Sequence, residues 1–182
     1  HFEGLADVRF AGYPPLYVRI IDYVMQAQVR SFYLALVLIF ALMLVLLRSV
    51  RLAALAMAPN VFPVLLMLGF MGFAGIPLDV ATATVAAIVL GVAVDDTIHL
   101  LYHYRRERRR RGTADALART FARAGRAVVV TSVLLALGFA VLMGASVQTV
   151  FYFGLLTVLS VAGALVGDLV LLPLLVRMTN AE

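Results

Sequence analysis

The sequence predicts an all-α membrane protein of five transmembrane helices, preceded by a short extracytoplasmic segment. Three observations carry that prediction. The 182 residues are 64% hydrophobic with a mean hydropathy of +1.03, whereas a soluble domain is nearer half apolar. Five apolar runs, 31–47, 52–74, 80–101, 127–145 and 150–176, approach or exceed the roughly 20 residues that cross a bilayer. The cations are concentrated in alternate connections between those runs, as they are in multi-pass proteins. There is no cysteine, which excludes a disulfide framework and a thiolate metal site.

Residues 1–30 read as the tail of an extracytoplasmic domain followed by an interfacial helix. Ala6 to Ala11 alternates weakly, as the last strand of an upstream domain would. Gly12-Tyr13-Pro14-Pro15 reads as a turn. Leu16, Ile20, Ile21, Val24 and Met25 then recur near helical spacing, while Gln26, Gln28 and Arg30 keep that helix wet. The chain starts with His rather than Met and reads as a fragment of something longer.

The first span, 31–47, is short and is extended by its flanks. The second contains Pro59, Asn60 and Pro63, so a kink is expected there, with neighbouring helices satisfying the freed carbonyls. Arg48 and Arg51 lie between the first two spans. The connection 102–126 carries Arg105, Arg106, Arg108, Arg109, Arg110, Arg111, Arg119, Arg123 and Arg126, and Arg177 follows the fifth span. The connections at 75–79 and 144–148 carry no cation. Every cation-bearing connection therefore falls on one side, which the positive-inside pattern makes cytoplasmic, together with the tail 178–182. Residues 1–30 then lie outside.

All 15 cationic side chains are Arg, and the net charge is +5. Taken alone, that balance resembles a nucleic-acid binder. Placed between two spans, the basic loop reads instead as a topology determinant in contact with anionic headgroups, and no nucleic-acid partner is expected. Within the loop, Thr113 is expected to cap a short helix with Asp115 in its first turn. Leu117, Phe121 and Ala124 share one face of that helix, Arg119, Arg123 and Arg126 flank it, and it is expected to lie on the inner membrane surface.

The functional signal is Asp95-Asp96, set in a run otherwise apolar from Val80 to Leu101. Each carboxylate at such depth costs roughly 2.5–3.5 kcal/mol on insertion scales. At about 1.5 Å of rise per residue, Asp95 lies some 5 Å to the cytoplasmic side of the middle of its helix. Asn60 falls at about 5 Å, Thr131 and Ser132 at about 6–8 Å, and Asp168 at about 7–8 Å on the same side. Four helices thus place polar groups at one level, and one buried polar cluster is expected.

On the helical wheel, Thr84, Ile88, Gly91, Asp95, His99 and Tyr102 share a stripe, with Asp96 and His103 beside it. Gly91, Gly163 and Gly167 are expected to admit close helix packing, the last two as a G-x-x-x-G pair next to Asp168. No Lys or Arg lies at the carboxylate level. Burial without a cation favours the neutral acid, so Asp95 and Asp96 are read as proton carriers, supported by Asn60, Thr131, Ser132, Asp168 and His99.

Other readings of these residues are weaker. Asp95, Asp96 and His99 could together ligate a metal, but no second His or Glu cluster supports this, and neither metal nor cofactor is expected. An intramembrane aspartyl hydrolase would pair Asp95 with Asp168. Its Gly-x-Gly-Asp signature is replaced here by Val92-Ala93-Val94-Asp95. The carboxylates as structural polar glue are a further alternative.

Gly91-Val92-Ala93-Val94-Asp95-Asp96, followed by Thr97-Ile98-His99 and an Arg-rich turn, resembles the G-x-x-x-D-[DY] signature of the resistance–nodulation–division (RND) superfamily. The nearest likeness is to its lipid- and hopanoid-exporting, MMPL and Patched-like branches. The resemblance covers residues 12–177. It implies a five-helix half-bundle, the C-terminal one, because the chain stops soon after the fifth span. It also implies proton-relay positions at Asp95 and Asp96, and relay hydroxyls at Thr131 and Ser132. The implied function is proton-driven secondary transport of a hydrophobic or lipid-like substrate in a bacterial inner membrane, not enzymatic catalysis. The implied partners are membrane lipids, that substrate and the other half of the transporter, with a homo-oligomer as a further option. A sterol- or lipid-sensing domain shares the five-span architecture and only binds.

Overall fold

The computed structural model describes residues 13–109 and 112–179. The strand expected at 6–11, Arg110, Arg111 and most of the tail lie outside them. Five helical stretches are long and apolar enough to cross a membrane: Val18–Leu47, Val50–Ala74, Val80–Arg108, Thr113–Gly144 and Gln148–Met178. Among the described residues the regular structure is entirely helical.

The first helix, α1, runs unbroken over Tyr13–Leu47. From Tyr13 on, helix stands where the turn was expected, and the helix expected over 16–30 runs on without a break into the first span. Pro14 and Pro15 fall in the first turn, where no intrahelical N–H is needed. No Gly or Pro follows before Leu47 to interrupt the ladder. The helix closes at Arg48, whose backbone adopts φ 47° and donates its N–H to Leu44 O at 2.8 Å.

Helix α2, Val50–Ala74, starts at Ser49, whose side chain accepts from Leu52 N, and ends at Gly75 with φ 65°. It continues as helix through both Pro59 and Pro63. Helix α3, Val80–Arg108, begins with a reciprocal cap: Thr82 N–H donates to Asp79 Oδ1 at 2.7 Å, and Asp79 N–H donates to Thr82 Oγ1 at 2.8 Å.

The basic connection folds as α4, Thr113–Thr120, then a π-helical stretch Phe121–Gly125 leading into α5, Arg126–Ala140. The N-cap is Gly112, with no side-chain cap bond, rather than the expected Thr113. The apolar face of α4 packs on the bundle itself. Leu117 and Ala124 join Leu101, Tyr104, Leu172 and Val176 in one buried cluster. Packing on that cluster occupies the face expected to lie on the membrane surface. A 3₁₀ turn over Val141–Gly144 precedes α6, Gln148–Val166. A second π stretch, Gly167–Leu171, joins α6 to α7, Leu172–Thr179.

Helices α3 and α6 form the centre. Helix α3 packs on α1, α2, α4 and α6, and α6 packs also on α2 and α5. The core divides into two clusters. One gathers Met43, Leu47, Leu100, Tyr104 and Leu172 toward the arginine-rich end. The other gathers Met67, Met71, Val85, Val89 and Leu156 toward the opposite end. Helix α1 and the fourth span leave most of their apolar surface outward, at Val37, Leu38 and Val45, and at Leu134, Leu137 and Val141. That outward surface suits lipid or a further helical unit.

Glycines separate by the space beside them. A Cβ at Gly154 would stand 2.8 Å from Phe139 O and 2.9 Å from Leu142 Cβ, so α6 meets the end of the fourth span backbone to backbone. Gly91, expected to admit a neighbour, has nothing within 4 Å because its stripe of α3 faces outward. Gly154→Ala should therefore lower the unfolding temperature in detergent. Gly91→Ala should leave it unchanged or raise it, by up to about 1 kcal/mol of helix propensity. Thermal unfolding of both variants followed by circular dichroism checks the opposite signs.

Candidate functional site

The site rests on how α2 and α6 approach each other. Pro59 and Pro63 are spaced four apart on α2, and Gly163, near the end of α6, and Gly167, the first residue of the π stretch that continues it, are likewise four apart. A Cβ at Gly163 would lie 3.4 Å from Pro63 Cα, and one at Gly167 only 3.0 Å from Pro59 O. The G-x-x-x-G pair thus accommodates the two proline turns. Pro63 has no N–H, so Pro59 O loses its usual partner one turn on, and this freed carbonyl is the atom that Gly167 faces.

One residue beyond Pro59 and Gly167 stand Asn60 and Asp168, brought together by that contact. Between them α3 inserts Thr97. Thr97 Oγ1 lies 2.6 Å from Asp168 Oδ1 and 3.2 Å from Asn60 Oδ1. Asn60 Nδ2 donates to Ala56 O at 2.7 Å, which orients the amide so that its oxygen faces Thr97. All three side chains are at most 1% exposed. Asp168 Oδ2 is buried and has no hydrogen-bond partner. Asp168 sits in the π stretch, a widened turn of the kind often found at functional sites.

The expected single polar layer is therefore two sites. Asn60 and Asp168 belong to the interior knot. Asp95 is exposed and Asp96 half-buried. Together with Gly91, Val92 and Thr131 they line a groove of about 970 Å³ against the apolar Leu134, Leu135 and Phe139 of α5. The shared wheel stripe of Gly91, Asp95 and His99 is present, but it is the open face of α3. Its buried face carries Val89, Ala93, Thr97, Leu100 and Tyr104. Because Asp96 and Thr97 are consecutive, the helix turns one toward the groove and the other into the knot.

The remaining expected members lie apart. Thr131 Oγ1 is turned onto its own helix, within 3.1 Å of Ala127 O and 3.0 Å of Val128 O. Ser132 is buried and does not line the groove. His99 is exposed and its ring stacks edge-on against His103, centroids 5.4 Å apart, toward the basic end. Among the described residues no three His, Cys, Asp or Glu are arranged to hold a metal ion. Thr97 was not anticipated. Its sequence signal is its place directly after Asp95-Asp96, four residues from Ala93 on the apolar stripe.

Residues 20–177 match the sequence model of the Patched family, described as Patched SSD, the sterol-sensing domain. The chain belongs to the Patched family. It is also 28% identical over 176 residues to the membrane protein MJ1562 of Methanocaldococcus jannaschii, a match that covers 96% of this chain and 45% of that protein. This Patched-family chain thus spans less than half the length of that relative. Together with its five spans, the match makes it a multi-pass membrane protein of the RND-related class.

The knot implies a specific energetic signature. Thr97→Val removes the only hydroxyl between two buried acceptors and should destabilise the fold by about 1–3 kcal/mol. Thr97→Ser should recover most of that loss. Asp95→Asn, on the open face, should change stability little. Thermal unfolding of the three variants in one detergent makes the comparison.

Proposed function

We propose that this chain is the proton-coupling half-bundle of an RND-type secondary transporter that exports a hydrophobic or lipid-like substrate. The observation that carries the reading is the pairing of two carboxylates on an open groove with a third carboxyl buried directly behind them, linked by the consecutive residues Asp96 and Thr97. No arginine is among the buried described residues, so no buried guanidinium neutralises Asp168. A proton does so without any further ligand.

Hydrogen-bond arithmetic in the knot supports a proton-loaded arrangement. Thr97 has one hydroxyl proton and faces two acceptor oxygens. If Asp168 is ionised, Thr97 serves one of them and leaves the other facing its lone pairs. If Asp168 carries a proton, it donates to Thr97 Oγ1, and Thr97 donates to Asn60 Oδ1. Both contacts are then satisfied in series. Gain or loss of that proton changes which side chains hold α2, α3 and α6 together, which is the kind of two-state packing element that drives a conformational change.

In this reading the groove is the face that a second five-span unit covers. The 45% share of the longer relative leaves room for one. A cation from that unit would pair with Asp95 and complete the relay. The basic connections face the cytoplasm, and the substrate is handled by extracytoplasmic segments. The lipid- and hopanoid-exporting branches supply the substrate class. The family description favours one other reading, a sterol- or lipid-sensing domain that binds without transport. The two differ in what they ask of the carboxylates.

The test uses the full-length gene product in its own cells. Envelope lipid composition, read by mass spectrometry, should shift to that of the deletion strain on Asp95→Asn or Asp96→Asn. In the unmodified strain it should shift likewise under a protonophore. Wild-type lipid export by Asp95→Asn, still sensitive to the protonophore, would sink the assignment. A lipid composition that ignores both the protonophore and the substitutions would favour the sensing domain.

A further inference from the structure

Four arginines converge at one end of the bundle with no carboxylate among them, and we infer that they form a binding site for the phosphate of an anionic phospholipid. The cavity measures about 540 Å³ and lies between the C-terminal ends of α1 and α3. Its walls are Arg48, Arg105, Arg106 and Arg109, with Tyr102 at the edge and Leu46 and Leu47 behind. The inference is independent of whether the chain transports anything.

Charge at this end is expected for topology alone, but topology does not require a shared cavity. Arg119 and Arg123 show the contrast. They border a cavity of about 180 Å³ that includes Glu107, so counter-charge is built in. The larger cavity has no carboxylate in its own lining; Arg106 borders both cavities, whereas Arg48, Arg105 and Arg109 line only the larger of the two. Guanidinium groups present planar forks of N–H donors that match phosphate oxygens, and arginine pockets between helices at the basic side of a membrane protein suit lipid headgroups.

Two of the four arginines are placed in ways that a solvated charge would not need. Arg105 donates from its guanidinium to Leu46 O in the last turn of α1. That bond fixes the side chain across the mouth of the cavity and leaves other N–H donors for a ligand. Arg48 holds the left-handed conformation, φ 47°, that ends α1. Glycine is the favoured residue at such a position. The closing bond to Leu44 O comes from the backbone N–H, which glycine would supply equally well. The turn itself therefore does not need the arginine side chain, which is free to serve the cavity.

The occupant is an amphiphile rather than a soluble phosphate compound. Leu46, half-buried beside the guanidinium groups, gives the charged rim an apolar neighbour. Tyr102, 57% exposed, offers a phenol at the level where aromatic side chains meet headgroups. A phosphodiester would sit among the guanidinium groups with its acyl chains toward Leu46. Bound there, it would tie the end of α1 to the helix that carries Asp95 and Asp96.

The test is lipid retention by the purified chain in neutral detergent, read by native mass spectrometry with phosphatidylglycerol and phosphatidylcholine as probes. Phosphatidylglycerol should be retained selectively. Arg48→Gly with Arg106→Gln and Arg109→Gln should weaken that retention about tenfold. Arg119→Gln with Arg123→Gln and Arg126→Gln removes the same charge outside the cavity and should leave it within about twofold. Equal loss in both triple variants would overturn the site in favour of diffuse attraction. Displacement of the lipid by inorganic phosphate would overturn the assignment to a lipid. Arg48→Gly alone separates ligand binding from folding. It should raise the unfolding temperature by relieving the left-handed residue while weakening phosphatidylglycerol retention. A fall in both would make Arg48 structural and remove it from the site.

Discussion

Gly163 of α6 and Gly167 in the π stretch that continues it lie against Pro59 and Pro63 of α2, and the polar interior depends on that contact. Two chemically opposite sequence features meet at one spacing. The prolines remove N–H donors and free a carbonyl, and the glycines remove the side chains that would keep a second helix away from it. A Cβ at Gly167 would come within 3.0 Å of Pro59 O. Asn60 and Asp168 are carried into register as the next residue on each helix, and Thr97 closes the space between them. Polar side chains can stay at this depth because each reaches another. The exception, Asp168 Oδ2, is the atom at which the arrangement is incomplete.

That contact also separates two populations of carboxyl groups. Asp95 and Asp96 sit on the groove side of α3, the first exposed and the second half-buried against α5, and Asp168 is sealed behind. The groove joins a polar edge to the apolar surface of α5. Such a surface is unusual for a helix facing only hydrocarbon and ordinary for one that faces a second helical unit. Membership of the Patched family and the span of less than half of a longer relative fit that view. So does the outward apolar surface of α1 and the fourth span. The basic end adds a further place where the surroundings bear on α3, through arginines held against the last turn of α1.

Much of this was legible in the residues. Hydropathy and length located the five spans, because a bilayer imposes a length that few other environments require. Depth counting placed Asn60, Asp95 and Asp168 at one level, because rise per residue hardly varies. What the sequence did not show is rotation. Depth says how far along a helix a residue lies, while its neighbours decide which way it faces. One layer therefore became a groove and a knot, and Gly91 came to lie against open space. Thr97 escaped notice because a lone threonine in an apolar helix usually bonds its own carbonyls, as Thr157 and Ser160 do here. Gly154 escaped because its crowding comes from the 3₁₀ turn at Val141–Gly144, which has no strong sequence mark. The docking of α4 on the core likewise reflects tertiary contacts that local propensity does not encode.

In the proposed mechanism these intramembrane carboxyl groups exchange protons. Infrared difference spectroscopy of the chain in lipid vesicles, stepped between alkaline and acidic pH, measures that exchange directly. Subtracting the same experiment on a variant carrying Asp95→Asn, Asp96→Asn and Asp168→Asn removes the contribution of the surface carboxylates. The account predicts a residual carboxylate-to-carboxyl conversion that all three residues supply, with Thr97→Val shifting the band of the buried member. An empty difference between the chain and its triple variant, with helical content intact in both, would contradict it.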